Sequence, residues 1–322
     1  MIYINFKKGQ GLGNQLWLYA SALNIAKKNK MKLIILNYKN FVAKSFLTLK
    51  FSKLKKNKID HYFYERFYHD QDLNYISHFF DERFLFIKKN TLLEGYFQDE
   101  RYLCKKKLDI KKYVFFKNIK KLNTIYLDNK TCVLNIRGGE YKRHSDLILP
   151  KNYWTNAIKL MIKKKMTKFL IVTDDANYCK KLLPGYPIIS GSIEKCFMYL
   201  YKAKNLIVSN SSFSYFPIYM QNSTPYVIAP GYWARHNSKL RRWASVSNYY
   251  PGWKWIDDRG LIMKKNQIIR SVKKTENMYK TNYNLSSEFN KFDHLGIRKY
   301  MPKILTSYIK KILSYLFPLK FG

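Results

Sequence analysis

The pattern of apolar and polar positions in the first forty residues predicts a strand, a turn, a helix and a second strand. Residues 2–6 are a short run of β-favouring side chains, and residues 31–36 are another. Between them, a glycine-containing turn precedes residues 16–26, which are almost wholly apolar and therefore typical of a buried helix. This order of elements is the first unit of an α/β domain.

A second series of apolar runs begins after residue 130 and alternates in the same way. Strands and helices that alternate along a chain indicate a parallel sheet. Residues 39–90 show no clear pattern, and the sequence shows no internal repeat. The predicted strands of the second series are 132–136, 168–175, 205–212 and 226–230, and its predicted helices are 150–163, 193–204 and 213–221.

The two series predict an α/β protein with two halves whose boundary lies near residues 123–130. A chain of 322 residues is long enough for one large core or two smaller ones. We assign residues 1–126 to an N-terminal domain, residues 127–260 to a C-terminal domain and residues 261–322 to a basic tail.

The charge balance changes this picture, because 60 lysines and arginines face only 21 acidic residues, giving a formal net charge of +39. Such a field favours acidic partners, namely phosphates, nucleic acid or an anionic membrane surface. No RNA-binding aromatic signature or helix-turn-helix spacing accompanies the charge. We therefore expect no nucleic-acid partner.

The cysteines and the hydropathy of the chain indicate the cellular compartment in which the protein is expected. The four cysteines show no CxxC spacing and are expected to be scattered reduced thiols, which favours the cytosol over a disulfide framework. The first residues enter a strand pattern at once, without the pattern of a signal peptide. No run of about 18 apolar residues predicts a membrane-spanning helix.

The first candidate site is the turn after the first strand, where Gly11, Gly13, Asn14 and Gln15 follow one another closely. Glycines allow a backbone to approach a ligand, and the two amides are able to line it. The spacing lacks the third glycine and the later acid of a dinucleotide-binding fingerprint. A plain strand-to-helix turn is the alternative.

The second candidate site is the segment NIRGGEY, residues 135–141. Arg137 follows a strand of the buried type, beside Gly138 and Gly139. An arginine at the carboxyl end of a strand is suited to bind a diphosphate with its forked guanidinium, and ligands of open α/β sheets bind at that edge. A surface arginine in a glycine turn is the alternative.

Two further polar clusters follow predicted strands. Asp174 and Asp175 are candidates to bind a metal, a ribose or a base, or else to cap the next helix. No third ligand stands at useful spacing, so we expect no metal site. Ser211 and Ser212 precede a helix, where hydroxyls and free backbone N–H groups favour either an anion site or simple capping. Together the clusters indicate a nucleotide bound in a cleft between two halves.

The order of these segments resembles the family 11 glycosyltransferases, which are α-1,2-fucosyltransferases. The resemblance covers roughly residues 2–255. It implies two Rossmann-like domains facing a cleft (the GT-B type), GDP-fucose as donor, and inverting transfer in one displacement with no metal or other cofactor. The segments that carry it are GLGNQLWLYA, LLEGYFQDERYL, NIRGGEY, LPKNYW, FLIVTDD and NLIVSNSSFSYFPIYM.

The arginine segment matches the family's pattern only in part. The resemblance places Arg137 on the family's diphosphate-binding arginine, and Gly139 and Tyr141 also match. Asn135 stands where the family has histidine, and Gly138 stands where it often has a second arginine. These two changes remove an imidazole and a positive charge from the expected pocket, which leaves the donor sugar open.

The remaining candidates also fall on the family's pattern. The resemblance makes Asp174 and Asp175 base or ribose contacts and makes Ser211 and Ser212 phosphate contacts. The glycine turn closes on the donor from the other half. The full set of expected donor-binding residues is Gly11, Gly13, Asn14, Gln15, Asn135, Asp174, Asp175, Ser211 and Ser212.

The expected chemistry is departure of a nucleoside diphosphate from a sugar carbon. Negative charge then grows on the β-phosphate, and Arg137 and the serine segment are aligned donors for it. Glu140, which stands where the family has aspartate, is the candidate base for the acceptor hydroxyl, and His144 is the second candidate.

The last residues lie outside the resemblance. In residues 302–317, Ile304, Tyr308, Ile312 and Leu316 share one stripe of a helix, with lysines off the stripe. Such a helix either binds a membrane surface or packs on its own domain.

We expect a cytoplasmic enzyme, peripheral on the inner face of the membrane, that modifies a glycan or lipid-linked glycan of a bacterial surface. The alternatives are a different nucleotide-sugar donor, an inactive relative of the family, or a non-enzymatic nucleic-acid-binding protein.

Overall fold

The computed structural model describes residues 1–53, 58–70, 75–103, 109–118, 120, 124–143, 147–232, 249–257 and 259–286. Its first half contains a parallel sheet of four strands. In spatial order these are β2 (Leu33–Leu36), β1 (Ile2–Asn5), β7 (Thr91–Glu94) and β4 (His61–Tyr64). Helix α1 (Leu12–Lys28) connects β1 to β2.

The second half contains a parallel sheet of six strands with helices between them. The strands, in spatial order, are β11 (Ile188–Ile189), β10 (Lys168–Thr173), β9 (Thr131–Ile136), β12 (Asn205–Val208), β13 (Tyr226–Pro230) and β14 (Lys254–Ile256). The helices are α2 (Lys151–Lys163), α3 (Ala176–Leu182), α4 (Ile193–Lys202) and α5 (Tyr215–Tyr219).

Two small antiparallel sheets complete the described strands. One pairs β3 (Leu47–Leu49) with β8 (Val114–Phe116). The other contains β5 (Phe67–Asp70), β6 (Tyr75–His78) and β15 (Leu285–Ser286). Helix α6 (Lys265–Asn282) leads to β15, so the chain returns from the second half to the first, where the buried Tyr279 stacks on Tyr68.

Helix α1 lies at the contact between the two halves. Every residue from Leu12 to Ala26 except Asn14 is buried, and Lys27 and Lys28 stand in the last turn, where positive charge opposes the helix dipole favourably. The fully buried Trp17 stacks on Tyr215 of α5 at 4.4 Å between ring centroids. Truncating such a buried side chain costs about 3–5 kcal/mol of unfolding free energy, so this contact is a large part of the stability of a typical domain.

The α/β class with parallel sheets, predicted from the alternating pattern, is confirmed. Helix α1 begins at Leu12, four residues before the predicted apolar run, because its first turn includes the polar Asn14, which contacts the second half, and Gln15, which bonds within the first half. In place of one helix at 213–221, a 3-10 helix (Ser212–Ser214) precedes α5. The amphipathic segment 302–317 lies outside the described residues.

Two further observations concern the thiols and the helices of the described ranges. Cys132, Cys179 and Cys196 are buried free thiols. None of the helices in the described part of the chain has both the length and the apolar character needed to cross a bilayer.

Candidate active site

The carboxyl ends of β10, β9 and β12 lie side by side, and each is followed by one of the polar clusters found in the sequence. Thr173 at the end of β10 pairs with Ile136 at the end of β9, and Val208 at the end of β12 pairs with Asn135. The sheet therefore brings together the segments that begin at Arg137, Asp174 and Ser209.

Arg137 forms the centre of this edge. Its Nη1 lies 2.7 Å from Oδ2 of Asp174, and Nη2 lies 4.0 Å from Oε2 of Glu140. The other Asp174 oxygen accepts the N–H of Gly138 at 2.9 Å. Among the residues that the structure describes, Nε of Arg137 is buried without a hydrogen-bond partner. The guanidinium is thus fixed in place by one carboxylate and retains N–H groups for a further anion.

Tyr141 connects the arginine to the strand that carries the serines. The Arg137 guanidinium lies over its ring at 5.5 Å, within cation–π range. Burial raises the pKa of Tyr141 to about 12, so the phenol is protonated at neutral pH and donates to the backbone carbonyl of Asn210 at 3.0 Å. Arg137 and the segment before Ser211 are therefore held by one side chain.

Asp175 has the structural role that the sequence left as an alternative. Its Oδ1 accepts the N–H of Tyr178 and caps α3, and its other oxygen pairs with Lys142. The Lys142 ammonium, with the capping bond, lowers the pKa of this carboxyl. Contact of Asp175 with the nucleotide-sugar stays a prediction.

Gly138 and Gly139 are explained by how closely this turn packs on the acids. A Cβ at Gly138 would lie 2.8 Å from the Cβ of Asp175 and 2.9 Å from a ring carbon of Tyr178. A Cβ at Gly139, whose φ is +23°, would overlap the carboxylate of Asp174. The turn therefore has no room for the second arginine of the family pattern.

The N-terminus of α1 faces this edge from the first half. Gly11 occupies the cap position without a side-chain cap, and the first turn carries no acid. The first intrahelical bond is donated by Gln15 to the Gly11 carbonyl, so the N–H groups of residues 12–14 have no helical acceptor. These groups and the positive end of the helix dipole are suited to an anion.

Direct contacts join this N-terminus to the serine segment. Ser212 Oγ donates to Oδ1 of Asn14 at 3.0 Å, and Nε2 of Gln98 donates to the same oxygen at 2.6 Å. A Cβ at Gly13 would lie 2.6 Å from both the carbonyl carbon and Oγ of Ser212. The absence of a side chain at Gly13 is what lets the two halves approach here.

The hydroxyl groups of Ser211 and Ser212 have different hydrogen-bond partners. Ser212 uses its single hydrogen on Asn14. Ser211 accepts the N–H of Phe213 at 3.3 Å and thereby caps the 3-10 helix, and this bond does not use the hydroxyl hydrogen. The Ser211 side chain also hydrogen-bonds that of Tyr141, so both serine hydroxyls already have partners within the protein.

Two predicted site residues are buried amides that support the site from behind. Gln15 is fully buried, donates to the carbonyl of Asn40 at 2.8 Å and accepts the N–H of Val42 at 2.9 Å. Asn135 lies within the sheet and donates to the carbonyl of Val172 at 3.3 Å. Contact of Gln15 and Asn135 with the nucleotide-sugar stays a prediction.

The candidate bases differ in what the structure describes of them. The Glu140 side chain is 78% exposed, beside Arg137. His144 lies outside the described residues. Gln98 was missed as a site residue, although it stands within the GYFQDE stretch of the resemblance. Its role depends on a contact with a residue 84 positions away.

Among the residues that the structure describes, no group of three or more histidine, cysteine or acidic side chains is placed to hold a metal. Asp174 and Asp175 are instead paired with Arg137 and Lys142.

Residues 3–257 match the family model described as Glycosyl transferase family 11. The chain belongs to this family. The resemblance inferred from the motifs is therefore confirmed, and the protein is a family 11 glycosyltransferase. No curated protein sequence matches the chain.

Several solved glycosyltransferase structures are similar to this family 11 chain at low identity. A FUT1 variant of Arabidopsis thaliana in complex with GDP is 12% identical, with 82% of this chain and 79% of that chain covered and a TM-score of 0.46. The fucosyltransferase NodZ from Bradyrhizobium is 13% identical, with 70% and 94% covered and a TM-score of 0.40. The E. coli heptosyltransferase WaaC with ADP is 9% identical, with 87% and 99% covered and a TM-score of 0.41.

Proposed function

We propose that this family 11 enzyme transfers fucose from GDP-fucose to a hydroxyl group of a glycan, with inversion and in one displacement. In this reaction the bond between C1 of the sugar and the β-phosphate oxygen breaks, and a bond forms between C1 and the acceptor oxygen. The acceptor proton passes to a base, and GDP leaves. The membership of family 11 and the resemblance of the motifs to α-1,2-fucosyltransferases support the donor and the reaction.

The observation that carries the proposal is the arrangement around Arg137. Its guanidinium, which follows β9, is held by Asp174 at the end of β10 and has an unpartnered buried Nε among the described residues. Ser211 and the free N–H groups at the start of α1 lie at the same edge of the sheet or face it. Such prealigned donors stabilise the charge that grows on the leaving diphosphate.

Glu140 is our proposed base for the acceptor hydroxyl. It is the exposed carboxylate of the turn that carries Arg137, so an acceptor entering from solvent meets it beside the leaving group. A base is effective when it lies within hydrogen-bond reach of the proton it removes.

We further propose that transfer needs no metal ion. Asp174 and Asp175 are paired with cationic side chains of the protein, and the leaving diphosphate has Arg137 as its counter-charge. The acceptor is proposed to be a glycan or lipid-linked glycan at an anionic membrane surface, which the net charge of +39 favours.

A donor screen tests the proposal. Binding of GDP-fucose, GDP-mannose, UDP-glucose and ADP-heptose is measured by calorimetry, and hydrolysis and transfer are followed for each. The proposal expects GDP-fucose to bind tightest and to be turned over. A preference for another nucleotide-sugar is the second candidate, which the buried Asn135 and the crowded Gly138 favour. Absence of binding to every donor would contradict both.

A further inference from the structure

A buried acid in the first half is not used by the proposed chemistry. Glu65 follows β4 and is completely buried, so neither a donor nor an acceptor sugar is able to reach its carboxylate. The imidazole Nδ1 of His78 lies 3.3 Å from its Oε2. A buried carboxylate in a protein needs compensating hydrogen bonds, and those bonds indicate what it holds.

The Glu65 carboxylate holds the turn that follows β7. Its Oε2 accepts the backbone N–H of Tyr96 at 2.7 Å and that of Phe97 at 2.8 Å. The approach requires a glycine, because a Cβ at Gly95 would lie 2.5 Å from the Cβ of Glu65. Two consecutive buried N–H groups thus depend on one oxygen, and loss of that oxygen would leave both of them buried and unpaired, which is unfavourable.

Gln98, the next residue of this turn, contacts the start of α1, which we propose faces the nucleotide-sugar. Gln98 donates to Asn14, and Asn14 also accepts the hydroxyl hydrogen of Ser212. Asn14 stands in the first turn of α1, and Ser212 stands beside Ser211. Hydrogen bonds, together with the backbone of the 95–98 turn, therefore connect Glu65 to the segment that we propose binds the diphosphate.

We propose that Glu65 is a positioning residue for the transfer reaction. By fixing the 95–98 turn it fixes Gln98 and Asn14, and these hold Ser212, with the neighbouring Ser211 and the start of α1, in place beside the leaving group. The role rests on the proposed function, because it presumes that the donor lies at this edge. The requirement is for an acceptor oxygen at position 65, and a negative charge there is not needed.

The test compares two variants at position 65 with a matched control. Glu65→Leu keeps much of the volume but removes the acceptor, whereas Glu65→Gln keeps a carbonyl oxygen. Tyr19→Phe is the control, because it removes another side-chain hydrogen bond of the first half, from the hydroxyl of the buried Tyr19 to the carbonyl of Lys50, and this bond involves no residue of the turn. For each protein the melting temperature and the kcat and KM for GDP-fucose are measured.

We expect Glu65→Leu to lower kcat about 10- to 100-fold, the size of effect that small misplacement of catalytic groups produces. Glu65→Gln should restore kcat to within a few-fold of the parent. Tyr19→Phe should lower the melting temperature with kcat unchanged. Equal kcat losses in Glu65→Leu and Tyr19→Phe, or no rescue by glutamine, would overturn the positioning role.

Two further measurements keep the proposal testable if Glu65→Leu fails to fold or if the donor is not GDP-fucose. Gln98→Ala removes the contact to Asn14 without burying an unpaired group and should show the same loss of kcat. Amide hydrogen exchange at residues 15–18, the first hydrogen-bonded amides of α1, and at residues 95–98 needs no substrate. Faster exchange at both segments in Glu65→Leu, but not in Glu65→Gln, is expected, and unchanged exchange at residues 15–18 refutes the proposal. A parent enzyme that does not turn over GDP-fucose would overturn the proposed function instead.

Discussion

At the scale of single residues, the site depends on which charged side chains of the protein pair with one another. Arg137 is held by Asp174, and Lys142 is held by Asp175, so the two acids fix the cations of the glycine turn. A guanidinium has five N–H groups in a fixed fork, and one carboxylate does not use them all. The same residue is therefore both anchored and available to a diphosphate.

Replacing Arg137 by alanine should abolish most of the transfer and leave the fold intact. Loss of one prealigned donor to a developing oxyanion costs about 3–4 kcal/mol of transition-state stabilisation, or roughly 10²–10³ in kcat. Steady-state kinetics and circular dichroism check both parts. The control is Arg259→Ala, which also removes an arginine paired with an aspartate, Asp257, but beyond β14, three strands away. A rate within twofold of the parent would remove Arg137 from the mechanism.

The buried Glu65 predicts a pH dependence of stability. Burial raises the pKa of Glu65 from 4.5 in the unfolded chain to about 8 in the folded protein, so the folded state keeps a proton that the unfolded chain has lost. The stability it contributes is full below pH 4.5 and is lost as the pH rises through about 8. Melting temperatures of the parent should fall over this range relative to those of Glu65→Gln. Parallel curves for the two proteins would show that Glu65 does not titrate there.

At the scale of elements, the start of α1 differs from the sequence-based prediction, because the helix begins four residues before the predicted apolar run. The polar Asn14 lies in the first turn of the helix, where its side chain contacts Ser212 and Gln98 of other segments. Gly11 and Gly13 differ in what surrounds them. A Cβ at Gly13 would collide with Ser212, while one at Gly11 would meet nothing within 4 Å.

Gly13→Ala should therefore destabilise the protein, although alanine is normally better than glycine within a helix by about 1 kcal/mol. The added methyl group forces apart the backbone of Ser212 and the start of α1, so the melting temperature and the affinity for the donor should both fall. Gly11→Ala is the control for stability and should change it by about 1 kcal/mol or less, as expected at a cap position. Equal melting temperatures for the two variants would contradict the close contact.

At the scale of the whole molecule, two α/β halves meet through α1, and the donor site is proposed where their strand ends converge. The protein uses its own cations to neutralise the two aspartates at this edge. The surplus of lysines elsewhere gives the molecule a strong positive field.

Activity should survive removal of divalent metals. Transfer and donor hydrolysis are measured after dialysis against EDTA and again after addition of Mn²⁺ or Mg²⁺. We expect equal rates, because the leaving diphosphate meets Arg137. Loss of activity with EDTA and recovery with either ion would make Asp174 and Asp175 metal ligands and would contradict the proposed mechanism.

The protein should bind vesicles that contain anionic lipid, and removal of residues 302–322 should weaken this binding strongly. Each lysine near such a surface contributes about 1 kcal/mol, which salt screens, and an apolar helix stripe adds a part that salt does not affect. Sedimentation with vesicles at two salt concentrations measures both parts.

A melt of the truncated protein provides the contrasting measurement. If the segment packs on its own domain instead, truncation should lower the melting temperature, and the full chain should not bind vesicles. Transfer to a soluble acceptor should change little on truncation, because the candidate site lies in earlier segments.

The sequence by itself determined the α/β class, the family and the strand ends at which polar residues gather. These follow from local patterns: apolar runs at regular intervals, and glycines and polar residues where a strand must stop. Residues 39–90 were not assigned because their short strands are defined by partners far along the chain, as β4 is by β7 and β5 by β15.

Only the tertiary structure decided which of the candidate residues are free to act. Asp175 caps a helix, Gln15 is enclosed in the first half, and Ser212 spends its hydrogen on Asn14. Glu65 gave no signal in the sequence, because its role depends on two N–H groups some thirty residues away. A hydrogen bond depends on distance and direction in space, and residue type and spacing do not fix either for partners that only folding brings together.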